Sequence, residues 1–188
     1  MPDLNYFQPL RKSTLVLGEV YFWTNTIKDW RNLLKPDKYK QLIIQALLEL
    51  KQKNLFAVYG LVIMPNHLHL LWEPLQKNGR EMPHASFNKI TSHEIIKDLK
   101  LQHQEVLPYF KVQEKERQYR IWQRDALAVL MDSKAKFEQK LLYIHLNPLQ
   151  EKWNLAASPE DYYWSSARFY ETGEDTFNLF THYGERFE

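Results

Sequence analysis

The sequence predicts an α+β fold, an antiparallel sheet with helices packed on one face, and three observations carry that prediction. Two short β-rich runs, Leu55 to Met64 and His67 to Trp72, meet across a Pro65–Asn66 turn and read as a hairpin. Segments before and after that hairpin space their apolar residues at the helical period. The predicted order is then strand, helix, hairpin, helix, strand, helix, which is that of a ferredoxin-like sandwich.

The elements follow in chain order. Met1 to Leu17 shows no period and reads as an irregular lead-in, while Glu19 to Thr26, rich in aromatic and β-branched residues, reads as a first strand. Pro36 and Asp37 open a helix in which Tyr39, Leu42, Ile43, Ala46, Leu47 and Leu50 share one face, and Asn54 ends it. Leu55 to Met64 is short and nearly all apolar, as in a strand buried on both faces. His67 to Trp72 returns beside it, and Leu75 to Met82 is a loop between Pro74 and Pro83. Phe87, Ile90, Ile95, Ile96 and Leu99 mark a second helix from Ser86 to Gln102. A charged connector, Gln113 to Gln118, leads into Tyr119 to Met131, expected as a further strand. Asp132 and Ser133 are expected to cap a third helix from Lys134 to His145, stopped by Asn147 and Pro148. The remainder is aromatic and loop-rich, with a short helix expected after Ser165 and Ser166.

At 188 residues the chain suits one domain, with a core over about residues 19–170 between the lead-in and a C-terminal tail. Hydrophobic residues at 44% and charged ones at 26% are the balance of a globular chain, and the longest apolar run, Leu55 to Met64, is too short to span a bilayer. Cysteine is absent, which excludes disulfides and thiolate metal sites and leads us to expect a cytoplasmic protein. No charged-then-apolar secretory layout begins the chain. A net charge of +2 is too small to select nucleic acid as the partner, though the aromatic share of 14% would suit base stacking.

The most informative short stretch runs Met64, Pro65, Asn66, His67, Leu68, His69, Leu70, Leu71, Trp72. Side chains two apart on a strand project from one face, so His67 and His69 sit side by side with Leu68, Leu70 and Trp72 turned to the core. Two imidazoles so placed can share one divalent cation. With seven histidines in the chain, a chance pair is the bland alternative.

The third helix supplies a second constellation. Phe137, Leu141, Ile144 and His145 gather on one face, expected to be buried, while Lys136, Lys140, Tyr143 and Asn147 gather on another. A phenol, an amide and two ammonium groups thus converge off the core stripe. The lysines suit phosphate contact, and Asn147 offers an oxygen to a hard cation. The chain has eleven tyrosines, so spacing alone does not single out Tyr143 as a nucleophile.

Four pieces in one order resemble the single-tyrosine HUH transposases, in particular the REP-associated tyrosine transposase branch. Gly60 to Leu71, GLVIMPNHLHLL, resembles their histidine–hydrophobic–histidine strand, and Tyr143 to Pro148, YIHLNP, their tyrosine helix. Trp122 to Asp125, WQRD, and Asp161 to Ser166, DYYWSS, complete the set. The chain departs from the branch in having no glycine from Leu149 to Trp153 and a wholly apolar Ala126 to Leu130. The resemblance implies the HUH endonuclease fold, a divalent Mg or Mn ion, and cleavage of single-stranded or hairpin DNA through a covalent phosphotyrosine. It makes Tyr143 the expected nucleophile and His67, His69 and Asn147 the expected metal ligands. Lys136, Lys140, Trp122 and Arg124 are the expected DNA contacts, with Tyr119, Tyr162 and Tyr163 further stacking candidates, although core packing is the alternative for each aromatic. The protein is expected as a monomer or homodimer. The main rival is a DNA-binding module of the same fold that has lost the chemistry; a water-activating hydrolase and a structural domain with a chance pair rank below it.

Overall fold

The computed structural model describes residues 15–124 and 126–187. Most of the expected lead-in, and Asp125 of the WQRD stretch, lie outside the described residues. Four strands make one antiparallel sheet: β1 (Tyr21–Thr26), β2 (Phe56–Ile63), β3 (His67–Pro74) and β4 (Leu127–Leu130), in the spatial order β2-β3-β1-β4. Between them run α1 (Asp37–Gln52) and α2 (Pro83–Gln102), and α3 (Lys134–Leu146) and the short α4 (Ala167–Thr172) follow. The two central strands, β3 and β1, come from different parts of the chain, which is the ferredoxin-like order that the element sequence predicts.

Pleating sorts the side chains. On one face Trp72 lies 5.1 Å from Trp23 and 5.3 Å from Phe56, ring centre to ring centre, and Trp23 meets Phe87 of α2 edge-on at 5.8 Å. There α1 adds Tyr39, Ile43, Ala46, Leu47 and Leu50, all buried as the spacing predicts. The two helices pack on each other and form the expected layer.

α3 lies across the opposite face, against β2 and β3, and buries the predicted stripe of Phe137, Leu141, Ile144 and His145. Two side chains of that stripe pack over Gly60. A Cβ built there would stand 2.9 Å from Leu141 Cδ1 and 3.0 Å from Ile144 Cδ1. The β2–β3 register slips between Val58 and Gly60, so a bulge at Tyr59 turns the strand where the helix crosses it. The Ser133 hydroxyl caps α3 by accepting from the Lys136 amide at 3.4 Å, whereas the Asp132 carboxylate pairs with the Lys136 ammonium at 3.1 Å.

The stretch expected as a strand from Tyr119 to Met131 pairs in the sheet only over Leu127–Leu130. Upstream, the backbone of Arg120 donates to Phe110 (2.8 Å) and that of Gln123 to Thr26 (2.7 Å), beyond the end of the ladder. Long-range partners, not local propensity, end the strand there. The C-terminal segment closes the β2 edge. Ile63 donates to Trp164, Ser166 to Leu61 and Thr181 to Val58, each within 2.9 Å, so the edge strand is covered.

Candidate functional site

On the α3 face, β1 and β3 lie in register with Thr24 opposite His69 and Thr26 opposite His67. The two imidazoles project from this face with ring centres 4.8 Å apart. Both are buried, at 6% and 5% exposure, so each must be satisfied by the protein or by a ligand.

Their Nδ1 atoms are satisfied by the protein. His67 Nδ1 lies 2.7 Å from the amide oxygen of Asn66, whose amide nitrogen donates to the Trp30 carbonyl at 3.1 Å. That second bond fixes which end of the amide faces the ring. An amide oxygen only accepts, so a neutral His67 carries its proton on Nδ1 and leaves an unprotonated lone pair on Nε2. His69 Nδ1 shares a hydrogen bond of 2.7 Å with the Thr24 hydroxyl, and its Nε2 is buried with no hydrogen-bond partner among the described residues. Burial pushes the His67 imidazole down to about 4, helped by the positive charge of Lys152. Burial also holds His69 well below its ordinary value, with His67 and Lys140 adding to the effect. Neutral rings with Nδ1 anchored and Nε2 bare are the form in which histidine ligates a metal.

Tyr143 reaches the pair from α3. Its ring stands 5.5 Å from that of His69 and 6.1 Å from that of Phe22, both edge-on, and Phe22 itself stacks on His69 at 5.0 Å. The residue is 42% exposed, so the phenol is seated on the buried rings while open to solvent. The Lys140 ammonium stands 5.5 Å from the Tyr143 ring centre and 5.1 Å from that of Phe22.

Contacts along α3 give its direction. Phe137 packs on Tyr59 and Tyr143 on His69, and beyond the helix Trp153 packs on His67. The helix therefore runs antiparallel to β3, and Asn147, buried one turn after Tyr143, lies toward the His67 end of the pair. Among the described residues no group of three His, Cys, Asp or Glu gathers, so no carboxylate, thiolate or further imidazole joins the pair there. Glu73 shares the histidine face but sits four residues from His69, about 13 Å along the strand. Its carboxylate is taken by the Tyr59 hydroxyl (2.6 Å) and Arg186 (3.3 Å).

The other expected contacts lie elsewhere. Lys136 is two turns from Tyr143 and paired with Asp132. Trp122 is buried on the α2 side, where its indole N–H donates to Thr91 at 2.8 Å and its ring tilts against Phe87. Arg124 is exposed and bonded to Glu114 at 3.0 Å. Both line a cleft of about 830 Å³ between α2 and residues 114–124, where Glu114 also holds Arg117 and Arg120. Tyr162 is buried and donates to the Ile63 carbonyl, while Tyr119 is half-buried and Tyr163 exposed. Sequence reasoning missed Thr24, Asn66, Phe22, Trp30 and Trp153. Asn66 adjoins the histidine pair in sequence; the others are brought to it only by register and tertiary packing.

No protein-family model matches the chain, and no curated protein matches it in sequence. Among solved structures, that of a REP-associated tyrosine transposase bound to a REP hairpin matches 89% of this chain and 86% of its own, with a TM-score of 0.62 and 19% identity. The four-stranded antiparallel sheet and its helices therefore have the fold of that transposase, as the strand and helix motifs imply.

Proposed function

We propose that this chain is a transposase-like enzyme that cleaves and rejoins single-stranded or hairpin DNA, with Tyr143 as nucleophile and His67, His69 and Asn147 holding a divalent Mg or Mn ion. The observation that carries this reading is the seat of Tyr143: a solvent-open phenol 5.5 Å from a buried His69 whose Nε2 has no partner among the described residues. A cation bound there would polarise a non-bridging oxygen of the scissile phosphate.

The chain's own residues do the rest. The Tyr143 oxygen attacks phosphorus and expels the 3′ oxygen of the preceding nucleotide. The phenolic proton leaves to solvent, and the departing oxygen takes one up as a free 3′-hydroxyl. A 5′-phosphotyrosyl link remains, which a 3′-hydroxyl from another strand reverses to give strand transfer. Phe22 and His69 hold the ring in place, and the Lys140 ammonium is near enough to offset charge on the phosphate or phenolate. Neither water nor ATP is consumed.

A second reading, a DNA-binding module of the same fold without the chemistry, draws on the absence among the described residues of a third His, Cys, Asp or Glu at the pair. One experiment separates them. Purified protein is mixed with a labelled hairpin-bearing single strand and Mg or Mn, denatured and run on a gel. A metal-dependent, SDS-resistant protein–DNA band, lost in Tyr143→Phe, supports the enzyme. Bound DNA with no such band supports the module.

A further inference from the structure

One exposed indole stands at the rim of the histidine pair. Trp30 is 58% exposed, and its ring meets that of His67 edge-on with centres 6.1 Å apart. Its backbone lies in the left-handed region at φ 56°, directly after Asp29 at φ 57°. Bulky residues rarely adopt that conformation, and it persists only where surrounding structure imposes it.

Here the surroundings do impose it. Trp30 N donates to the Ile27 carbonyl (2.9 Å), Ile27 N to Asn66 (2.9 Å), Lys28 N to Ile121 (2.7 Å) and Leu34 N to Pro65 (2.9 Å). The Asn66 amide that orients His67 closes the set on the Trp30 carbonyl. A loop this firmly held presents a large apolar ring to water, where it adds little to the core.

The ring also has a place in a row. Trp30, His67, His69 and Tyr143 follow one another with centre spacings of 6.1, 4.8 and 5.5 Å, so Trp30 and Tyr143 stand at opposite ends of the pair. Trp153 approaches His67 at 5.9 Å, and the Lys152 ammonium lies 5.5 Å from the Trp153 ring, a cation suited to a phosphodiester backbone.

We propose that Trp30 is the stacking platform for one unpaired nucleobase of a single strand whose scissile phosphate lies at Tyr143, and that it thereby sets which position along the strand must be unpaired. The proposal rests on the reading of this face as a DNA site. Stacking on an indole is tolerant of base identity, so the platform selects for an unpaired base rather than for a sequence.

The test measures binding without cleavage, by fluorescence anisotropy in EDTA. The probe is a fluorescein-labelled DNA hairpin flanked on both sides by unpaired thymidines, and the proteins are wild type, Trp30→Gly and Trp30→Phe. Glycine suits a φ of 56°, so Trp30→Gly removes the ring while favouring the loop's conformation. It is expected to weaken binding roughly tenfold or more, and Trp30→Phe to restore most of the loss. An abasic substitution at one flanking position should weaken wild type by a similar factor and Trp30→Gly not at all. Equal affinity of wild type and Trp30→Gly overturns the proposal, as does a loss that no abasic position reproduces. A wild type that binds no probe overturns the platform together with the DNA reading. Position-specific stacking without a tyrosine adduct upholds the platform and removes only the cleavage chemistry.

Discussion

Asn66 and His67 are joined by an amide oxygen 2.7 Å from Nδ1, and the same amide is pinned at its other end to the Trp30 carbonyl. The bond turns a residue that reads in sequence as part of a turn into the one that decides where the imidazole carries its proton. With Nδ1 as donor, Nε2 keeps its lone pair and is the atom that would ligate the proposed ion.

Removing that acceptor frees the ring to rotate and to change tautomer. Asn66→Ala is expected to lower Mn affinity about 10- to 100-fold, measured by titration calorimetry or by electron paramagnetic resonance of free Mn. Asn66→Asp keeps an acceptor at the ring but loses the donor to the Trp30 carbonyl, and should recover only part of the affinity. Equal affinities in wild type and Asn66→Ala would show that the bond does not orient the ligand.

Acid should unfold the metal-free protein over a defined window. Burial lowers His67 and His145 from 6.5 to about 4 each. Between those values the unfolded chain binds more protons than the folded one, so stability is full above about pH 6.5 and falls as pH drops toward 4. The loss is on the order of 3 kcal/mol for each ring by the lower end of the window, and the depressed His69 adds in the same direction. Urea midpoints in EDTA at intervals from pH 7.5 to about 4 test this. A flat profile would exclude two buried neutral imidazoles.

The two lysines of α3 should behave differently. Lys140→Met is expected to slow formation of the tyrosine adduct about tenfold, because its ammonium lies against the Tyr143 ring. Lys136→Met should leave the rate within about twofold, since that side chain is tied to Asp132 a turn earlier. Equal effects would point to diffuse attraction for DNA and away from a local role.

Ser166 joins the C-terminal segment to the sheet. It accepts from the Leu61 amide at 3.0 Å and shares a bond of 2.9 Å with His145 Nε2, with no solvent access. Ser166→Ala strips two buried groups of a partner and is expected to cost about 2 kcal/mol, read from urea unfolding. A change below about 0.5 kcal/mol would mean that the site relaxes to other partners.

Gly60→Val should act at a distance on Tyr143. The added methyls meet Leu141 and Ile144 and push α3 from the sheet, at a cost of about 1–3 kcal/mol. The adduct yield is expected to fall further than stability predicts, because the phenol moves off His69. Normal adduct formation in a folded variant would show that the helix position is not critical.

Much of the site could be read along the chain because burial repeats with the period of the element. Alternation put His67 and His69 on one face and Leu68, Leu70 and Trp72 on the other, and helical spacing separated the buried stripe of α3 from the face with Tyr143. What required tertiary structure was illegible for a physical reason. Thr24 meets His69 only through strand register, and Trp30 reaches His67 only because a loop between distant elements folds back. Trp122, read as a candidate for stacking bases, is a core residue, since propensity does not say on which side of a sheet a short aromatic run will settle. The strand expected from Tyr119 stops short because its early residues bond to Phe110 and Thr26 instead.

The cover over β2 has a consequence for how the chain is made. Once the ribosome has added Asn147, every residue proposed for the chemistry exists, yet the segment that bonds to Val58, Leu61 and Ile63 has still to be synthesised. A nascent chain released at that point would carry a full set of reactive groups on a sheet with a bare edge, and bare edges join one another. Cover therefore follows the reactive groups in chain order, and a product interrupted between the two is directed toward aggregation.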